Sequence, residues 1–268
     1  MQNAAHWTAF CIFKLLIKQL ALGAMSMMPL MSVAQDEVRA TVQADFVSHY
    51  MWRGEDRGGF SIQPMGKLTW QGASFQVIGS TGLEKDDHHE IDIRLGYEYE
   101  GFNVGLTDYW QTGVDPEDRY FFFDQRKTGH QVEANVGYTC KYFTAQAYTM
   151  VWGNDFKKDG ARAFSTFVEL GVPFNLGGLE WLATVGFTPM ESAGYYETKP
   201  ITTDYGTLEA KIPHYFYAEG FAFNSASVRA TKNLFLGDVR VPVFAELHAN
   251  PYLQTARLVL GIGIIPLK

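Results

Sequence analysis

The chain has 268 residues, with 22 basic and 29 acidic side chains and a mean hydropathy of −0.11. These values exclude a bundle of membrane helices, because each span needs about 20 consecutive apolar residues, and the acidic balance argues against a nucleic-acid partner. Two cysteines cannot form a disulfide scaffold. Aromatic residues make up 15% of the chain, a high share for a sequence that is barely hydrophobic on average.

The N-terminal stretch has the layout of a secretory signal peptide. Lys14 and Lys18 precede the apolar run Leu20–Met31, and small residues follow it. This order predicts a cleaved signal peptide over residues 1–34 and an exported domain over residues 35–268. A membrane anchor is the alternative, although the apolar run is shorter than a span.

From there on, the chain alternates apolar and polar residues with period two. Between Glu90 and Glu100, for example, isoleucine, leucine and tyrosine alternate with charged residues and glycine. Such alternation predicts β-strands with one apolar and one polar face. Twelve segments of this kind begin near Val38, Phe60, Ala73, Glu90, Phe102, His130, Phe143, Ala161, Gly178, Ala218, Asp238 and Leu253.

The connections between these segments alternate in length. Short turns occur at 71–72, 100–101, 141–142, 175–177 and 236–237, whereas most other connections are longer and more polar. An even number of strands with short turns at one end and long loops at the other predicts an all-β fold, a transmembrane antiparallel up-and-down barrel of about 12 strands in an outer membrane. Aromatic residues gather near both sets of strand ends, as two membrane girdles would, although aromatic residues also favour strands in general.

If the apolar face meets lipid, the polar face lines the lumen. A barrel of this size either leaves a narrow channel or is closed by charges that pair with one another. The candidate pore-lining residues are Asp45, His49, Arg53, Lys67, Asp92, Arg94, Glu98, Glu133, Arg229, Arg240, Glu246 and Arg257.

Three of the longer connections contain residues that suggest a function. The segment 84–90 is dense in carboxylates and histidines, but its spacing fits no defined metal site, so we expect a solvated loop, no metal and no cofactor. The aromatic run 120–123 either constricts the barrel mouth or packs on the rim. The longest connection, 189–217, is the best candidate for a plug or a ligand-contacting loop.

Outer-membrane phospholipases and lipid A deacylases place a histidine two residues before a nucleophilic serine on one strand face, and none of the seven histidines has a serine two residues after it. We therefore predict no enzymatic activity. A rim-site hydrolase is the minor alternative, with Asp86, Asp87 and His88 or the pair Asp108 and His130 as candidates. A wider polar cluster, whose facing is not fixed by parity, would comprise Asp108, His130, Glu133, Ser165 and Glu169.

The stretch Phe46–Gly54 reads Phe-Val-Ser-His-Tyr-Met-Trp-Arg-Gly. It resembles the opening of a family of small porin-like outer-membrane β-barrel proteins of Gram-negative bacteria, in which a Ser-x-Tyr-x-x-Arg-Gly segment follows the signal peptide. From the barrel width and the charges of both signs on the lumen face we predict a narrow channel for transport of small polar solutes, with outer-membrane lipid and the barrel-assembly machinery as partners. The alternative is a closed, non-conducting surface barrel that acts through its exposed loops.

Overall fold

The computed structural model describes residues 37–83, 89–115, 117–203 and 206–267, and between 197 and 213 it describes the backbone alone. The predicted signal peptide, residues 1–34, therefore lies outside the described residues. The secondary structure is all strand, and no helix in the described part of the chain is long and apolar enough to cross a membrane.

Sixteen strands are present within the described ranges, and twelve of them form one barrel. The barrel strands are β1 (Arg39–Val47), β4 (Ser61–Trp70), β5 (Ala73–Gly82), β6 (His89–Tyr99), β7 (Phe102–Gln111), β8 (His130–Thr139), β9 (Thr144–Gly153), β10 (Thr166–Leu176), β11 (Leu179–Thr188), β14 (Ala222–Leu236), β15 (Val239–Asn250) and β16 (Thr255–Pro266).

All neighbouring barrel strands are antiparallel, and the barrel closes where β1 pairs with β16. Closure leaves no exposed sheet edge, so the backbone hydrogen bonds of the wall are satisfied internally. The twelve-stranded antiparallel barrel predicted from period two is confirmed, and the short turns lie at one end of it.

The wall has an apolar outside and a largely polar inside. On β6, Ile91 and Leu95 are exposed on the outside, whereas Glu90 and Asp92 are buried on the inside. An outer ring of exposed aromatic residues surrounds the short-turn end, as predicted. It includes Trp70, Tyr97, Tyr99, Phe102, Tyr142, Phe143 and Phe235.

The girdle expected at the long-loop end is only partly on the outside. Trp52 packs against Tyr109 and Tyr217, which places these rings in the lumen instead of in a membrane girdle. The physical reason is that the first loop turns inward and carries Trp52 with it, while Tyr109 lies on the inner face of β7.

The other four described strands lie outside the barrel wall and form two hairpins. The strands β2 (Tyr50–Trp52) and β3 (Glu55–Gly58) pair with each other, as do β12 (Gly194–Thr203) and β13 (Gly206–Tyr215). The first barrel strand ends at Val47, so most of the stretch Phe46–Gly54 belongs to the first of these hairpins and not to the wall.

Candidate functional site: the lumen and its inward hairpin

Residues 48–60, which we call the lumen hairpin, join β1 to β4 and contact the inner face of the barrel. Strands β2 and β3 are joined by a two-residue turn at Arg53 and Gly54, with φ angles of 51° and 84°. Two consecutive residues of positive φ are typical of the type I′ turn, whose twist matches that of a hairpin. The local sequence thus makes a tight, self-paired finger.

The tip of the lumen hairpin presses against the wall. A Cβ atom on Gly54 would lie 1.9 Å from the backbone oxygen of Asn224 on β14. Asn250 on β15 donates a hydrogen bond of 3.3 Å to the Gly54 backbone oxygen. Glycine is needed here both for its positive φ and for the close approach of two backbones.

Arg53 is the central anchor of the hairpin. Its guanidinium donates two hydrogen bonds to Glu133 on β8, of 2.5 and 2.7 Å, and a third to Tyr217. It also lies 4.2 Å from the ring centroid of Tyr148 and 5.2 Å from that of Phe167. The pair is almost fully buried, and removing one partner from such a pair leaves an uncompensated charge.

Other contacts tie the hairpin to opposite sides of the barrel. The Tyr50 hydroxyl donates to Glu90 on β6 at 2.7 Å, and Arg257 on β16 donates to Asp56 at 2.8 Å. The hairpin thus places Arg53 against acidic residues on one side of the barrel and Asp56 against basic residues on the other. The acidic wall comprises Glu90, Asp92 and Glu133, and the basic residues opposite are Arg229, Arg240 and Arg257.

The segment that carries the family resemblance coincides with this hairpin. Ser48 exchanges two hydrogen bonds with the backbone of Leu260, of 2.9 and 3.0 Å. Tyr50, Arg53 and Gly54 make the wall contacts given above. Each named position of the Ser-x-Tyr-x-x-Arg-Gly segment therefore has a distinct structural task in seating the hairpin.

Open space remains around the hairpin. An upper cavity of about 300 Å³ lies beside it near the long-loop end, bordered by Asp56, Asn250 and Arg257. A central cavity of about 270 Å³ is bordered by His49, Arg229 and Glu246.

A wider turn-side vestibule of about 500 Å³ opens near the short turns, where Lys67, Arg94 and Glu98 line it. Each cavity beside the hairpin is thus smaller than the vestibule towards the turns.

The predicted pore-lining residues occupy these regions unequally. Arg53 lies in the lumen, but on the hairpin and not on a wall strand, and Glu133 is covered by it. Asp92 is buried on the inner face, and Asp45 accepts a hydrogen bond from Gln43. That these residues line a conducting pore stays a prediction. The remaining members border the cavities or face inward: His49, Lys67, Arg94, Glu98, Arg229, Arg240, Glu246 and Arg257.

Aromatic partners of Arg53 are functional candidates that sequence reasoning missed. Phe167 is fully buried in the lumen, where the absence of a side chain at Gly186 makes room for its ring. Period two could have found it, because Phe167 has the same parity as the inward Glu169. Nothing in the spacing of the sequence brings Arg53 to these rings.

That the connection 189–217 acts as a plug or a ligand-contacting loop stays a prediction. Of the connection 189–217, Phe216 and Tyr217 pack against Trp52. Its middle forms the separate hairpin β12–β13, and the side chains of 197–213 lie outside the described part.

The aromatic run 120–123 packs on the rim and not in the mouth. Tyr120 lies against Trp110 and His130, on the outer face of the wall. His130 is bonded on both ring nitrogens, to Asp108 at 3.0 Å and to the Tyr120 backbone oxygen at 2.5 Å. The backbone oxygen can only accept, so Nε2 donates to it, and the two contacts anchor the loop 112–129 to the outside of β7 and β8.

The suggested polar cluster is dispersed. Asp108 and His130 face outward, whereas Glu133 and Glu169 face the lumen. Ser165 is buried elsewhere and donates to Asp155 at 2.5 Å. The other rim candidates, Asp86 to His88, lie outside the described residues.

In the described ranges no cluster of three His, Cys, Asp or Glu side chains could hold a metal. Most of the acidic segment 84–90 lies outside those ranges, so the expectation of a solvated loop stays a prediction.

Within the loop 112–129, Asp115 holds the local structure. Arg119 donates three hydrogen bonds to its carboxylate, two from the side chain and one from the backbone, of 2.9 to 3.0 Å. These hydrogen bonds from Arg119 lower the pKa of Asp115 to about 2.

Comparison with known proteins adds little to the strand pairings. No protein-family model and no curated protein matches the chain. A solved structure described as "Unveiling the Mechanism Behind the in-meso Crystallization of Membrane Proteins" is similar with a TM-score of 0.42 and 8% identity, covering 85% of this chain and 83% of that chain. One described as "Salmonella typhi OmpF complex with Daunomycin" has a TM-score of 0.34 and 10% identity, with 86% and 97% covered. The barrel assignment rests on the closed strand order.

Proposed function

We propose that the chain is a Gram-negative outer-membrane barrel that forms a narrow, porin-like channel for small polar solutes, with the lumen hairpin as its constriction. The observation that carries this proposal is the set of open, polar-lined cavities inside a closed barrel whose outer face is apolar. An apolar outer band is what a bilayer requires, and polar linings with charges of both signs suit small solutes. Export by a cleaved signal peptide over residues 1–34 belongs to the same proposal.

A closed surface barrel is the second candidate, and the buried pair of Arg53 and Glu133 favours it. With the hairpin seated, these two side chains and the rings around them occupy the middle of the lumen. The two candidates differ in one measurable property, the conductance of the intact protein.

Single-channel recordings of refolded protein in planar bilayers separate them. We expect small, discrete conductance steps from the intact chain and much larger steps from a variant in which residues 49–59 are replaced by a short glycine-serine linker. Steps from the linker variant alone would support the closed barrel. An absence of steps from both proteins would contradict the proposed channel.

The vestibule supplies a milder test of the same proposal. Arg94 faces the vestibule and makes only a long hydrogen bond of 3.4 Å to Asn135. In Arg94→Ala we expect a reversal potential shifted towards cations with an unchanged fold. An unchanged reversal potential would place Arg94 away from the ion path.

We propose no enzymatic role. Assays of the refolded protein with lipid and peptide substrates test this directly, and turnover that disappears in His130→Ala would contradict it.

A further inference from the structure

We propose that solutes pass the lumen hairpin on one side only, along β15 and β16, through a neck formed by Met51 and His248. This inference rests on the proposed channel function and assigns its route and its narrowest point. Met51 belongs to β2 of the hairpin, and His248 to the inner face of β15.

Two cavities meet beside the hairpin, one towards the long loops and one towards the centre of the barrel. Met51 and His248 are the residues that border both the upper cavity and the central cavity. The upper cavity reaches Leu253 and Thr255, beside the short connection to β16 at the long-loop end. The central cavity reaches Gln63 on β4, the strand that pairs with β1. The two side chains therefore stand where the spaces above and below the hairpin meet.

The opposite side of the hairpin is closely packed against the wall. There Trp52 stacks on Tyr217 with ring centroids 5.9 Å apart and meets Tyr109 edge-on at 6.1 Å. Directly beneath, Glu133 is bonded to Arg53, and Thr107 on β7 is buried. Neither Trp52 nor Thr107 borders the upper cavity, the central cavity or the turn-side vestibule.

The neck combines a buried polar atom that lacks a hydrogen-bond partner with a flexible side chain. His248 bonds through Nε2 to Glu246 at 3.0 Å, while its Nδ1 atom is buried without a hydrogen-bond partner. An unpaired buried polar atom is costly unless something passing can satisfy it. Met51 has a flexible thioether side chain, packed on the apolar inner-wall residues Val47 and Phe244, that can move aside at little cost.

Charges on either side of the neck indicate the class of solute. Above it lies the ion pair of Asp56 and Arg257, at 2.8 Å, and below it that of Glu246 and Arg229, at 2.6 Å. Paired charges of both signs select for neither anions nor cations, so uncharged or zwitterionic hydrogen-bonding solutes suit this route best.

Substituted cysteines test the route. In a Cys140→Ser background we would introduce Met51→Cys or His248→Cys and add a charged methanethiosulfonate reagent during single-channel recording. We expect loss of most of the conductance on modification of either position, and Met51→Ala should raise the conductance. Thr107→Cys, on the packed side, should be unreactive, and Gln76→Cys in the vestibule should react with only a small loss.

The outcomes separate the route from the function. If the Cys140→Ser protein conducts but modification of Met51→Cys and His248→Cys, confirmed by mass spectrometry, leaves the conductance unchanged, the route is wrong and the channel stands. If Thr107→Cys blocks and the neck positions do not, solutes pass on the opposite side. If the Cys140→Ser protein does not conduct at all, the route falls together with the channel.

Discussion

Two long loops leave the same rim of the barrel and fold in opposite directions. The lumen hairpin turns inward and is anchored to Glu133, whereas the loop 112–129 covers the outer wall and is anchored to His130. Both anchors are on β8, three residues apart, and both are almost fully buried. Because successive strand residues point to opposite faces, one strand holds one loop on each side of the wall.

The two anchorages differ in kind. Inside, a charged pair is surrounded by rings that exclude water, so the interaction is strong but intolerant of losing a partner. Outside, a histidine is held between a carboxylate and a backbone oxygen and is covered by Tyr120 and Phe123. We therefore expect substitutions on the inner face of β8 to cost more than those on the outer face, and to alter conductance where the outer ones do not.

The largest expected effect comes from removing the inner anchor. Glu133→Ala leaves Arg53 buried without its counter-charge, which should weaken docking of the hairpin by about 3 to 5 kcal/mol. Hydrogen exchange at residues 48–60 should accelerate, and the conductance should rise. The matched control is Glu98→Ala, an acidic residue that lines the vestibule, where both measurements should change little. Equal behaviour of the two variants would contradict the anchor.

A smaller effect is expected at the hairpin tip. Gly54→Ala forces a Cβ atom against the Asn224 backbone and strains a residue at φ 84°, and such strain costs about 1 to 3 kcal/mol. Faster exchange of the hairpin amides and a higher conductance should follow. Gly66→Ala on β4 is the control, because its Cβ atom would meet nothing within 4 Å. A stable, unshifted hairpin in Gly54→Ala would refute the close approach.

The outer anchor should give a still smaller and separate response. Asp108→Asn keeps an acceptor for His130 but removes its charge, at a cost of about 1 kcal/mol. Exchange should quicken in the loop 112–129 while the lumen hairpin and the conductance stay unchanged. A change in conductance would mean that the two loops are coupled through β8 and are not independent.

The strands of the barrel could be predicted from the sequence, whereas the inward fold of the lumen hairpin could not. Period two and the alternation of turns and loops are local properties, and they predicted the twelve strands and the outward face of residues such as Leu95 and Leu260. The direction in which the lumen hairpin folds depends on partners far along the chain. Arg53 meets Glu133 across 80 residues and Tyr217 across 164, and no spacing rule predicts such pairs.

Even so, one local signal for the hairpin was present. Arg53 and Gly54 follow an aromatic segment and precede polar residues, and a glycine at such a place is typical of a tight hairpin turn. The long segment 189–217 was the plug candidate because of its length, whereas the inward fold of the shorter lumen hairpin depends on contacts that loop length does not reveal.

The smallest expected effect is the pH response of the outer loop. Hydrogen bonds from Arg119 hold the pKa of Asp115 at about 2, below its ordinary value of 3.8. The ionised carboxylate thus stabilises the loop above about pH 4, and this contribution is lost as the pH falls towards 2. Exchange measured between about pH 5 and about pH 2 should quicken in residues 112–129 sooner than in the lumen hairpin, and Asp115→Asn should show a weaker pH response. An unaltered response in that variant would assign the acid sensitivity to another group.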